Sequence, residues 1–246
     1  MTIRTTTTQA IRRLTGLSLL AISLWGGTAH AQAPDHAAWD GILKRFAKDG
    51  GFRYAALAKD ADARARLDGY MKQVGSMSQK APLSAWLNAY NATVVSAIVA
   101  RYPIESVMKV DGFFKKIKHR IAGKQRTLDE VEHGIIRKRF GDARIHVALN
   151  CGARSCPALH PRAFRDKGLS ATLEKLARAM VADTRHVQKR SANSVAASAL
   201  LFWFADDFKR DHGSPLGWLI HHGLAGVSKT AKLSQLDYDW DLNAAR

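Results

Sequence analysis

The sequence predicts an α+β fold, a single domain that is predominantly helical around a small β-sheet. Three observations predict it. Apolar residues recur at helical spacing through most of the chain. Only two short segments, at 144–150 and 194–198, have the apolar character of buried strands. The regular strand–helix alternation of a doubly wound sheet is missing.

The first element stands apart from the fold. Arg4, Arg12 and Arg13 precede the apolar stretch Leu14 to Trp25, and Ala29-His30-Ala31 places small residues in an A-x-A pattern. This reads as a secretory signal peptide over residues 1–31, cleaved after Ala31. The stretch is too short for a membrane span and no later one is long and apolar enough to cross a bilayer, so the protein is expected to be periplasmic or secreted and not transmembrane. Residues 32–246 are enough for one sizeable core and awkward for two.

Charge bounds the partners. The chain has 38 Lys+Arg against 21 Asp+Glu, a formal charge of +17, and the expected leader carries three of the arginines and no acid. Such a balance favours an anionic envelope surface, and export argues against nucleic acid. The basic clusters at 113–120 and 135–140 read first as solvated faces.

Along the mature chain, Trp39, Ile42, Leu43 and Phe46 lie at helical spacing, the segment 49–57 breaks that pattern, and Asp62 to Val74 forms a second amphipathic helix. Pro82 opens and Pro103 closes a third, whose stripe of Leu83, Trp86, Leu87, Tyr90 and Val94 is backed by alanines. A helix apolar on nearly every side is buried, so this is the central helix. Asn88 and Asn91 interrupt it. A buried amide must be hydrogen-bonded, either to neighbouring backbone or to an anionic oxygen at an adjacent site.

Thr127-x-x-Glu130 is a capping box, and Gly141 ends the helix that it opens. Leu128, Val131 and Ile135 define its inward stripe. Glu132 lies about 40° from Leu128 and His133 sits at the margin. An inward carboxylate needs a partner, catalytic or structural. Adjacent residues diverge by about 100°, so one of the pair is expected to serve a site while the other packs.

Residues 144–150 are expected to form a buried strand, with Ile145, Val147 and Leu149 on one face and His146, Ala148 and Asn150 on the other. That strand would deliver Cys151 to a loop opened by Gly152. A helix from Ser170 buries Leu173, Leu176, Ala177, Met180 and Val181. A short strand at 194–198, a helix through 199–208 and a helix from Ser214-Pro215 to His222 follow, and the aromatic tail 233–243 packs back on the domain.

Three chemistries compete for Cys151. As a nucleophile it needs a base, with His133 and His146 the candidates; Glu132 or an asparagine would orient the imidazole, and backbone amides with Asn88 would receive an oxyanion. The second is a disulfide with Cys156, the bland expectation for two cysteines in an oxidising compartment, and oxidation would reversibly silence a nucleophile. The third is a metal held by His146, Cys151, Cys156 and His160. Their spacing departs from that of structural zinc sites, and no metal or cofactor is expected. His119, His212, His221 and His222 are given no role.

Three blocks, "WLNAYNA" (86–92), "LDEVEHGIIR" (128–137) and "RIHVALNCGARSCPAL" (144–159), resemble in that order the signature segments of the domain of unknown function 547 family, and "FWFADDF" and "YDWDLN" resemble its downstream segments. The likeness is strongest over a core of about 82–183. It implies a core similar to papain-like cysteine proteases and a Cys-Glu-His site, here Cys151, Glu132 and His133, with His146, Asn88 and Asn91 also in matching blocks. Some relatives keep the first cysteine and lack the second, which favours Cys151 as the working residue. The expectation is a thiol hydrolase or acyl transferase acting on small peptides or amides; the alternative is a basic envelope-binding module braced by Cys151–Cys156, without turnover.

Overall fold

The computed structural model describes residues 1–2 and 33–245. The expected signal peptide therefore lies almost wholly outside the described residues. Among those described, no helix is long and apolar enough to cross a membrane.

The fold is α+β and mostly helical. Helix α1 (Ala37–Phe46) buries Trp39, Ile42, Leu43 and Phe46, the spacing read from sequence. A hairpin of β1 (Ala47–Lys48) and β2 (Gly51–Phe52) turns the chain, and α2 (Tyr54–Lys59) and α3 (Ala61–Ser76) follow. Asp60 caps α3 by accepting from the Ala63 amide at 2.8 Å. Helix α4 (Leu83–Val99) starts immediately after Pro82 and is buried on all sides, as its composition requires. Around it, α1–α3 and α5 assemble the larger apolar core. Each fully buried Phe or Leu there contributes roughly 1.5–3 kcal/mol.

Strands β3 (His119–Ile121) and β4 (Lys124–Arg126) form an antiparallel hairpin that leads to α5 (Leu128–Val131). The capping box is complete: Thr127 Oγ1 accepts from the Glu130 amide at 3.1 Å, and Glu130 Oε2 accepts from the Thr127 amide at 2.8 Å. Beyond Val131 the helix widens into a π-turn, Glu132–Arg137, before α6 (Lys138–Phe140) and the left-handed Gly141. The extra residue in that turn corrects the inward stripe. After Leu128 and Val131, Ile136 is fully buried and Ile135 only partly so.

The expected strand at 144–150 is not a strand. Ala143–Val147 is a 3₁₀ helix, started by Asp142, whose carboxylate accepts from the Arg144 amide at 2.9 Å. Its amides are satisfied locally, with Ala148 and Leu149 both donating to the Ile145 carbonyl, so the segment needs no sheet. The alternation of apolar residues reflects burial between two cores.

A second, smaller core gathers α7 (Leu169–Ala182), the sheet of β5 (Val187–Ser191), β6 (Ser194–Ala197) and β7 (Lys232–Gln235), and helices α8 (Leu200–Trp203), α9 (Ala205–His212) and α10 (Pro215–His221). β5 pairs antiparallel with β6, and β7 parallel with β6. The aromatic tail packs back through single bridges, Ser106 to Asp241 and Ala153 to Leu242.

Candidate functional site

The cysteine loop is pinned from three directions. Asn91, buried in α4, donates from Nδ2 to the Ala148 carbonyl and accepts at Oδ1 from the Asn150 amide, both at 2.9 Å. Asn150 in turn donates to the Pro157 carbonyl at 2.8 Å and accepts from the Gly152 amide at 3.0 Å. The tail closes the third side, since Asn243 donates through its backbone to the Gly152 carbonyl and through Nδ2 to Asn150 Oδ1. Gly152 has φ +84°, and a Cβ there would stand 2.8 Å from Ile98 Cδ1, so only glycine fits. Cys151 and Cys156 are joined by a disulfide at the mouth of this loop. The Cys156 side chain is buried and Cys151 is partly exposed.

Where the two cores meet, this loop forms one wall of a cavity of about 340 Å³. The capped helix also lines it, with Asp129, Glu132 and His133, an i, i+3, i+4 face. His146 and Phe204 also line it. Tyr238 lines it as well, its hydroxyl 3.3 Å from both sulfurs. Trp203, 46% exposed, and Met108, 57% exposed, are exposed apolar side chains of its lining, with Trp203 stacked on Trp240.

Cys151, His133, Glu132 and His146 therefore share one cavity, but their partners differ. His133 is exposed. Its Nδ1 accepts from Arg137 at 2.9 Å and its Nε2 faces Asp129 at 3.5 Å, so both ring nitrogens are engaged. Glu132 accepts from the Tyr90 hydroxyl at 2.9 Å. Burial, reinforced by the Glu132 charge, pushes the Tyr90 phenol well above its ordinary pKa and keeps it a donor. Burial raises Tyr238 likewise, again with Glu132 adding to it.

His146 is buried and held in a defined orientation. Its Nε2 lies 2.8 Å from Asp207 Oδ2, and its ring stacks on Phe204 with centroids 4.0 Å apart. Burial pushes the Asp207 carboxyl up, but hydrogen bonds from His146 and Arg137 (2.7 Å) outweigh it and hold the group well below the usual carboxylate range. An ionised Asp207 can only accept, so Nε2 donates to it and the ring's other nitrogen, Nδ1, is the one left to act as a base. No described residue hydrogen-bonds that Nδ1.

Asn88 does not line the cavity. Its amide is consumed by Phe164, donating to the carbonyl and accepting from the amide, both at 2.9 Å, and it locks the 160s loop onto α4. His160 bonds the Arg162 carbonyl at 2.8 Å and also stays out of the cavity, so the His146, Cys151, Cys156, His160 set does not gather.

Asp207 escaped the sequence reading. The available signal was a carboxylate flanked by Phe204 and Phe208 on one helical face, the reasoning that singled out Glu132. Tyr238 left no signal, because only the return of the tail brings it to the sulfurs.

The model of the family described as "Protein of unknown function, DUF547" matches residues 74–181. This span includes Glu132, His133, His146 and both cysteines and excludes Asp207 and Tyr238. No curated protein and no solved structure matches the chain.

Proposed function

From the premise that this chain belongs to the DUF547 family, we propose that it is an exported thiol hydrolase or acyl transferase of papain-like chemistry, acting on small peptides or amides with a large apolar group beside the carbonyl. The observation that carries this reading is that a carboxylate-held imidazole, His146–Asp207, lines the same aromatic cavity as Cys151.

The disulfide is the stored form. An external dithiol takes the bridge to two thiols and leaves as a disulfide itself. Cys151 then passes its proton to Nδ1 of His146, and its sulfur adds to the carbonyl carbon. The imidazolium, stabilised by Asp207, returns the proton to the departing amine as the C–N bond breaks. Water hydrolyses the thioester, releasing the acid and restoring the thiol; an amine in place of water gives acyl transfer. Tyr238, protonated and beside the sulfurs, is the neighbouring donor for the oxyanion, together with loop amides. Glu132 and His133 shape the wall that receives the substrate.

The test is alkylation of the reduced protein by iodoacetamide near neutral pH, followed by peptide mass mapping. Cys151 is expected to react at least tenfold faster than a free model thiol, and His146→Ala to remove that advantage. Equal rates for Cys151 and the model thiol, or no effect of His146→Ala, overturn the reading. A panel of aromatic and aliphatic aminoacyl anilides then identifies the substrate.

The disulfide and the +17 charge also support a second reading, a basic envelope module that binds without turnover. It requires the oxidised protein to sediment with phosphatidylglycerol vesicles at low salt and to be released at about 0.5 M salt.

A further inference from the structure

A second hollow, sharing no lining residue with the cysteine cavity, collects three histidines. Helices α9 and α10 form a tight hairpin. His212 ends α9, Gly213 reverses the chain in a left-handed conformation, and Ser214 caps α10 by accepting from the Gly217 amide at 2.9 Å. A Cβ on Gly217 would stand 2.3 Å from the His212 carbonyl, so the closeness of the hairpin depends on that glycine. The hairpin brings His212 against His221 and His222 at the far end of α10. Each offers one ring nitrogen, and the three lie within 4.8 Å of one another. His212 and His221 are stacked at 4.1 Å, and His222 meets each of them edge to face.

His222 supplies a second observation. It is 2% exposed and packs on Trp218 with ring centroids 4.3 Å apart. Its Nδ1 is engaged by Glu174, at 3.2 Å from Oε2, while its Nε2 is buried with no hydrogen-bond partner among the described residues. A buried ring nitrogen without a partner is costly, and a metal-ligating histidine characteristically gives its other nitrogen to a carboxylate.

We propose that His212, His221 and His222 bind one divalent first-row metal ion, zinc being the reference case, with Glu174 positioning His222. Three imidazoles select zinc, nickel, cobalt or copper over magnesium and calcium. Zinc–nitrogen bonds of 2.0–2.1 Å need nitrogens about 3.3 Å apart, so binding draws the cluster inward. His212 and His221, half-buried and exposed, have room to turn, whereas His222 is fixed. The cations nearby are already paired, Arg144 with Asp142 at 2.8 Å, Arg178 with Glu174 at 2.7 Å and Arg210 with Asp211 at 3.1 Å. Three protein ligands leave a fourth tetrahedral position, facing a hollow of about 330 Å³, for water or an anionic ligand.

The experiment is calorimetric titration of the tag-free full chain, disulfide intact, with Zn²⁺ alone. One equivalent is expected, with the visible absorption of a four-coordinate site when Co²⁺ is used instead. His212→Ala and His221→Ala, both near the surface, should each weaken binding at least tenfold, and Glu174→Gln by about tenfold. On the wild-type chain, Zn²⁺ should also slow acylation of His212 and His221 by diethylpyrocarbonate, read by mass mapping. Unchanged affinity in the double His212→Ala, His221→Ala variant, undiminished acylation, or no binding below roughly 0.1 mM would sink the proposal.

Discussion

Single side chains in this protein are decided by their partners. Asp40 on α1 accepts from Arg162 at 2.9 Å and from the Ala163 amide at 3.0 Å, with Lys44 at 3.1 Å, and so ties the first helix to the 160s loop. Burial pushes its carboxyl up, and the hydrogen bonds from Arg162, Ala163 and Lys44 more than reverse this, holding it at about 2. A folded pKa below the unfolded one gives stability that is complete above about pH 4 and is lost as the pH falls towards 2. Asp40→Asn should therefore lower neutral-pH stability by at most about 2 kcal/mol and flatten the acid limb of a urea-midpoint profile between those values. Gly152→Ala combines a positive φ with a contact on Ile98. It should cost at least ~1 kcal/mol by chemical denaturation, because neither the loop nor α4 can yield freely. At the cavity, Asp207→Asn should preserve the fold yet slow thiol alkylation at Cys151, since an amide no longer stabilises the His146 imidazolium.

At the scale of elements, the helix from Thr127 to Gly141 joins cap, site wall and core contact in one short run. Thr127→Ala removes one half of the reciprocal cap and should cost about 1 kcal/mol, measured as a shift in the urea midpoint with an unchanged slope. Gly134 lies exposed in the π-turn, without a positive φ, and a Cβ added there would meet nothing within 4 Å. Gly134→Ala should stabilise by roughly 0.5–1 kcal/mol through the unfolded chain, and a loss of stability would mean that the π-turn itself needs glycine. The 3₁₀ segment 143–147 carries the matching lesson. Apolar alternation marked it as buried, and the Asp142 cap together with Asn91 decided that it would not be a strand.

For the whole molecule, two cores meet at the cysteine cavity, and the disulfide spans five positions in sequence. A loop that small restricts the unfolded chain little, so reduction should lower stability by about 2 kcal/mol or less and leave the far-ultraviolet circular dichroism unchanged. Global unfolding on reduction would show the bridge to be structural. A folded reduced protein is what a reversible thiol site requires.

The sequence by itself determined the α+β class, the buried central helix, the capped helix and its glycine stop, the returning tail, and the segment that holds both cysteines. Each is written in local spacing: apolar period, cap chemistry, or the residues beside a turn. Only the tertiary structure decided that Asn88 is committed to Phe164, that Asp207 and Tyr238 reach the cavity from distant segments, and that three unremarked histidines converge at one hairpin. The physical reason is that a side chain's chemistry depends on which groups complete its hydrogen bonds, and those groups come from parts of the chain that sequence spacing does not relate.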